Sequence, residues 1–371
     1  MSEPTSVATP PRSSRSMRPP KPVALLFGGT GFVGRHLSPA LRSLGFDVRV
    51  TTRDLQLAEA PLGSTLVQVD ETSSDSMRAA MRGVRTLFYL VHQTGEAGYI
   101  AKESELALRT RDCAAEANVR SIVYLGGVAP ESLASDHLAA RLETGRILRD
   151  GKVPTVELRA AMILGCGSAS FELTRELVSI MPILPITTWT EFASAPVSID
   201  DVALALAWAA LLEAPESVWL DVHGGEIVTH RAMLTEVADA LHRRRPALSV
   251  PFVSIGFAAR VAGFISNQPA ALVEALMRGL GSDLLPQRGA FDAMAQSLGC
   301  SNEDVRPISV RMAVRMALAE SDRICASRPS LTTRKRIAAR VRQVLHTRPN
   351  FDQIDQTFWR EATPDASAPL D

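Results

Sequence analysis

The sequence predicts an α/β protein. A parallel sheet carries helices on both faces, and a smaller, mostly helical C-terminal part caps a substrate site. Three observations carry this reading. Short apolar runs alternate with helical stretches between residues 23 and 165, the first run ends in a glycine-rich turn, and helical patterns dominate from about 213 onward. Near-continuous apolar strands interleaved with helices are the pattern of a parallel sheet buried on both sides.

The elements follow in order. VALLF (23–27) is a strand that stops at the glycines, and RHLSPALRSLG (35–45) is a helix closed by Gly45. DVRVTTR (47–53) and STLVQVD (64–70) are strands, MRAAMRG (77–83) a helix and TLFYLVH (86–92) a strand. A long helix runs from about Tyr99 to Asn118, followed by the strand SIVYLGG (121–127). The helix HLAARLETGRILRDG (137–151) and the strand TVELRAAMILG (155–165) complete the series.

Domain boundaries follow from composition. Residues 1–21 are rich in Ser, Pro and Arg, and their prolines forbid an amphipathic targeting helix, so they read as a disordered tail. Residues 22–212 form the domain of alternating strands and helices, with a lid segment at about 166–192, and 213–330 form the mostly helical part. Residues 331–371 hold a basic amphipathic helix (331–347) and a tail. Ile337, Val341, Val344 and Leu345 lie on or near one face of that helix, which suits docking on its own domain, on a partner or on an anionic surface.

The glycine motif is Gly28-x-x-Gly31-x-x-Gly34, placed after the first strand and opening the first helix. Glycines there permit the tight turn, the approach of a pyrophosphate and close helix packing. The loop residues Thr30, Phe32 and Val33 complete the cradle. Within alternating strands and helices this predicts a Rossmann-type, doubly wound sheet binding a dinucleotide. About 20 residues further on, where NAD sites carry an acid, stands Arg53, with Arg49 on the same strand face. A guanidinium suits a 2′-phosphate, so the reading favours NADP over NAD, with Asp54 as the competing ribose acceptor. Asp70, ending the third strand, is placed either to accept from the adenine amino group or to cap the next turn.

Together GGTGFVG (28–34), TTRD (51–54), YLVH (89–92), YLGG (124–127), LRAAMILG (158–165), VSIDDVA (197–203) and GGEIVTHRAML (224–234) carry a family resemblance. The chain resembles the atypical short-chain dehydrogenase/reductases over roughly residues 22–320, in the branch of NmrA-like proteins and the nucleotide-binding accessory subunit of respiratory complex I. HL-x-x-R-x-E (137–143) and GSASFE (167–172) are similar to a bacterial epimerase/dehydratase-like subgroup. The resemblance implies a Tyr-x-x-x-Lys pair and a serine after the fifth strand, and this chain departs at all three. The serine region reads Leu125-Gly126-Gly127, and the Tyr/Lys spacing holds His137 and Arg141. His137 would replace the tyrosine as proton donor and Arg141 would hold ribose or phosphate, the two sharing a helix face. Arg141 should also push His137 towards neutrality. His92, at the end of the fourth strand, is a further catalytic candidate, since ligands of open α/β sheets bind beyond the strand ends.

In the lid, Met181, Ile183, Leu184, Ile186 and Trp189 imply an apolar ligand such as a quinone, enone or lipid carbonyl. Lys+Arg and Asp+Glu balance at 40 each, so no global field favours nucleic acid. The four cysteines show no metal-ligand spacing and read as reduced thiols of a cytoplasmic protein. No transmembrane segment is expected; a peripheral membrane contact and the oligomeric state stay open. Two functions compete: an NADPH-dependent reductase of an apolar carbonyl, quinone or enone, and a catalytically inactive NAD(P)-binding regulator, assembly factor or accessory subunit.

Overall fold

The computed structural model describes residues 20–92, 99–130, 135–243, 245–321 and 329–354. The tails at 1–19 and 355–371 lie outside the described residues. Strands β1 (Val23–Phe27), β2 (Asp47–Thr52), β3 (Thr65–Gln68), β4 (Val84–Tyr89), β5 (Ser121–Gly127), β6 (Thr155–Ala160) and β7 (Val218–Val222) form one sheet in the order β7-β6-β5-β4-β1-β2-β3. Every pairing in it is parallel. The order reverses between β1 and β4, which opens a crevice at the carboxyl ends of those strands.

Alternation along the strands divides the core. In β1, Ala24 and Leu26 face a layer made of α1 (Phe32–Ser43), α6 (Ile199–Leu211), α10 (Ala290–Leu298) and α12 (Leu331–Val344). Leu25 and Phe27 face α2 (Ser74–Met81), α3 (Tyr99–Glu116) and α4 (Asp136–Arg149). Side chains of period two thus supply both faces, as a doubly wound sheet requires. Helix α6 is buried nearly all round, and its Trp208 donates to Ser297 of α10 at 2.9 Å.

Two expectations change. The run 155–165 is not one strand: β6 ends at Ala160, and Ile163–Leu164 pairs instead with Val197–Ser198 in a separate ladder. The boundary at 212 also moves, because β7 adds an edge strand to the main sheet and Asp221 accepts from the backbone of Gln287 (2.7 Å) and Arg288 (3.1 Å). That carboxylate draws the chain before α10 back onto the nucleotide-binding core. The cap is therefore made of α5 (Ala169–Ile180), α7 (His230–Ala240), α8 (Ile255–Ile265), α9 (Ala270–Arg278) and α11 (Val310–Ser321), split between two small apolar clusters.

Candidate active site

The crevice begins at the glycine turn. Gly28 has φ +75°, and a side chain there would meet the Leu90 carbonyl oxygen at 2.8 Å. Gly34 lets α1 pack against the turn, since its Cβ would stand 2.3 Å from the Gly29 Cα. Gly31 faces outward: its Cβ would meet only the Gly28 carbonyl oxygen, at 3.2 Å. Helix α1 starts with no side-chain cap and no acidic residue in its first turn. The first N–H groups and the positive end of the helix are thus left without a side-chain cap, an arrangement suited to an anion. Gly28, Gly31, Phe32 and Val33 line the cavity, while the Thr30 carbonyl accepts from Arg35 at 2.6 Å. Gly34 acts one step back, by setting the helix against the turn. A pyrophosphate fits this cradle.

At the ribose end, Arg53 is exposed just beyond β2. Asp54, its rival, is held in its own turn, with Oδ1 accepting from the Gln56 N–H at 2.7 Å. Arg49 does not join Arg53. Its guanidinium donates to the Arg82 carbonyl (3.4 Å) at the far end of the sheet, because residue 49 lies mid-strand and Arg82 leads into the start of β4. Asp70 takes its capping alternative: Oδ1 accepts from the Thr72 N–H (2.9 Å) and hydroxyl (2.6 Å), and these bonds hold the carboxyl below its usual range.

Beyond the cradle, His92, His137 and Arg141 line the same cavity, whose volume is about 600 Å³. Ser135 caps α4, which places His137 and Arg141 on the first turns of that helix. A side chain at Gly127 would meet the Arg141 Cδ at 3.3 Å, so the arginine stem occupies the space a serine at that point would need. Burial first, and Arg141 second, push His137 down to about 3. Burial, Arg141 and His137 hold His92 well below its usual value. Both imidazoles are neutral near pH 7, so they donate hydrogen bonds but are weak proton donors. The Arg141 Nε is buried with no hydrogen-bond partner among the described residues, which suits a group arriving through the cavity.

Neither described tyrosine side chain can act as the acid. Tyr89 and Tyr124 are fully buried against each other, and the Tyr124 hydroxyl donates to the Arg141 carbonyl at 2.9 Å. Glu143 and Arg159 are structural, but not with one another. Glu143 pairs with Arg146, while Arg159 pairs with the buried Glu157 at 2.9 Å and stacks on Trp219.

The outer half of the cavity is almost entirely apolar. Of the lid residues expected to face a ligand, Met181 and Trp189 do so. The short strand Leu184–Ile186 turns Pro185 to the cavity and Leu184 and Ile186 away, Leu184 being buried beside Phe171 and Val178, and Ile183, just before the strand, is exposed off the cavity. The remaining wall comes from helices that sequence reading left unassigned: Met233 on α7, Phe257 and Val261 on α8, Leu276 on α9. His230, at the start of α7, was also missed. It lines the cavity, burial pushes it down to about 4, and its Nε2 has no partner among the described residues. The signal available was the polar THR in GGEIVTHRAML, a cap followed by a histidine. No cluster of potential metal ligands occurs among the described residues.

Residues 28–152 match the NAD(P)H-binding family of domains. No curated protein matches the chain significantly. Among solved structures, WbmG of Bordetella bronchiseptica in complex with NAD is similar at 12% identity and a TM-score of 0.61, over 84% of this chain and 97% of that one. The UDP-glucose 4-epimerase of Thermus thermophilus with NAD matches at 16% identity and a TM-score of 0.57, over 80% of this chain and 98% of that one. The UDP-N-acetylglucosamine 4-epimerase of Bacillus cereus matches at 15% identity and a TM-score of 0.53, over 70% and 96%. At such identities the likeness is one of fold, and the NAD(P)H-binding match coincides with the glycine cradle described above. Residues 28–152 thus form an NAD(P)H-binding domain, and the chain as a whole shares the fold of these NAD-dependent enzymes.

Proposed function

We propose that the protein is an NADPH-dependent reductase of an apolar small molecule carrying a carbonyl, quinone or enone. One observation carries this reading: a single cavity runs from the glycine cradle, past His92, His137 and Arg141, into an apolar chamber. A second reactant therefore has room beside the nicotinamide end, and the walls select an apolar one. When bound, the reduced nicotinamide supplies hydride. Gly31 and the α1 N-terminus would hold its pyrophosphate, and Arg53 its 2′-phosphate. The relatives with solved complexes hold NAD, so the preference for NADP rests on Arg53 and on the engagement of Asp54. The cysteines Cys113 and Cys300, which form no disulfide, suit a reducing, cytoplasmic setting.

The chain's own residues set the chemistry. Neutral His137 and His92 can donate N–H to a substrate oxygen, and Arg141 supplies fixed positive charge as that oxygen becomes anionic. With His137 near 3, no side chain there delivers a proton readily at pH 7. This favours conjugated substrates, in which the enolate formed after hydride addition is delocalised and takes its proton from water. A simple ketone gives a localised alkoxide and needs the donors more.

Oxidation of NADPH against a panel of enones, quinones and ketones tests the reading. Turnover is expected, with a rate on enones that shows no ionisation of His137 between pH 5 and pH 9. His137→Ala should lower ketone reduction by about 10²-fold, as for loss of an oxyanion donor, and enone reduction less. The competing reading, a nucleotide-binding protein without turnover, draws on the lack of a tyrosine in the described lining. Cofactor-bound protein that turns over nothing and admits no apolar ligand beside the nicotinamide would establish it instead.

A further inference from the structure

We propose that the mouth of the cavity docks on an anionic phospholipid bilayer through α8 and its rim. Helix α8 is amphipathic in the inverted sense. Its small residues Ala259 and Ala262 are buried against Val273 and Met277 of α9, and its large ones face outward. Phe264 is 90% exposed, Phe257 59% and Val261 44%, and Phe252, just before the helix, is 98% exposed. A helix that faces water puts its large apolar residues inside. Ile180, at the end of α5, and Leu248, in the strand Ala247–Ser249 beside the cavity-lining Pro185, are exposed as well. Phe257, Val261 and Phe264 share one helix face by their spacing, and exposed apolar surface of this kind marks a binding face.

The patch is also the entrance. Phe257 and Val261 line the cavity while remaining exposed, so a ligand enters between them. Charge points to the partner. From Ala240 to Val273 the chain holds no acidic residue, while Arg243, Arg244, Arg245 and Arg260 fall in that stretch. Arg245 donates to the Ser179 carbonyl (3.1 Å), next to Ile180, and Arg260 is exposed on α8. On the two helices packed against α8, Glu176 of α5 accepts from the Asn267 N–H at 3.0 Å and Glu274 of α9 pairs with Arg278. Aromatic side chains bordered by arginine, without carboxylates, suit an anionic headgroup layer. A second copy of the chain seated here would close the entrance, whereas a bilayer feeds it with apolar solute. No described helix is long and apolar enough to cross a membrane, so the contact is peripheral. The basic helix α12 is not this surface, since its apolar face is buried on α1 and α6.

The test is flotation of the full chain with vesicles of phosphatidylcholine containing phosphatidylglycerol, against phosphatidylcholine alone. The protein should float with the anionic vesicles, less so at high salt. Phe252→Ser with Phe264→Ser should reduce vesicle binding at least about tenfold, and Arg260→Glu should reduce it on anionic vesicles. Cofactor affinity should be unchanged in all three, which confirms the fold. Protein that stays unbound with both vesicle types, or floats equally well after the double substitution, overturns the proposal. So does sedimentation equilibrium showing a dimer that the double substitution dissociates. None of these readouts uses turnover, so they stand apart from the reductase reading.

Discussion

On the proposed reading, the choice between NADPH and NADH turns on Arg53. It stands exposed at the tip of β2, while the nearby Asp54 spends one carboxylate oxygen on its own loop. A charge-assisted contact to a 2′-phosphate contributes about 1.5–3 kcal/mol, so NADPH should bind at least about tenfold tighter than NADH. Arg53→Ala should remove most of that difference and leave NADH affinity nearly unchanged. Equal affinities in the unsubstituted protein, by calorimetric titration, would end the assignment. The position of Arg53 just beyond β2 was legible, because the glycine motif fixes roughly where the second strand must end. Arg49 was misplaced because alternation assigns a face but not the end of the strand its long side chain reaches. His230 could not be found the same way. The Thr229 cap marks the start of a helix there, but only the folding of α7 over the crevice brings the histidine to the cavity.

At the scale of one element, the start of α1 is left bare, and the proposed reading seats the cofactor's pyrophosphate there. A side chain at residue 31 would project from that start where the phosphates must come. Gly31→Val should therefore abolish NADPH and NADH binding while thermal unfolding without cofactor stays close to that of the parent. A folded variant that binds normally would reduce the turn to a structural one. Elements with a plain period were readable from sequence: β1 and β5 fall on their expected bounds, 23–27 and 121–127. The stretch 155–165 was not, because the apolar run AAMIL (160–164), with no Gly or Pro inside it, hides a change of sheet at Ala161-Met162. Helix α8 was also opaque. Its composition reads as core, and only packing shows that the alanines face in and the phenylalanines out.

The whole molecule is closed by its last described helix. Ile337 and Val341 of α12 are buried against α1 and α6, and Arg336 and Arg340 pair with Asp200 and Asp201 at the start of α6. Docking of this helix on its own domain was among the expectations; the ion pairs were not, since carboxylates in the SIDD sequence read locally as helix-start residues that favour the dipole. Asp201 has no exposure, accepts from the Ile308 N–H at 2.9 Å and meets Arg340 at 2.6 Å. Burial outweighs these partners and lifts its carboxyl to about 6. A carboxyl raised in the folded state stabilises the fold when protonated, and that contribution is lost as pH rises from about 4 through 6. Above pH 6 the fold must hold a buried anion, and Arg340 is what offsets it. Arg340→Met should then cost about 3 kcal/mol at pH 8 and much less at pH 5, where Asp201 carries its proton. Urea unfolding at the two pH values measures the difference. An equal loss at both would mean that Arg340 contributes through its hydrogen bond to the Arg306 carbonyl, and not through its charge on Asp201.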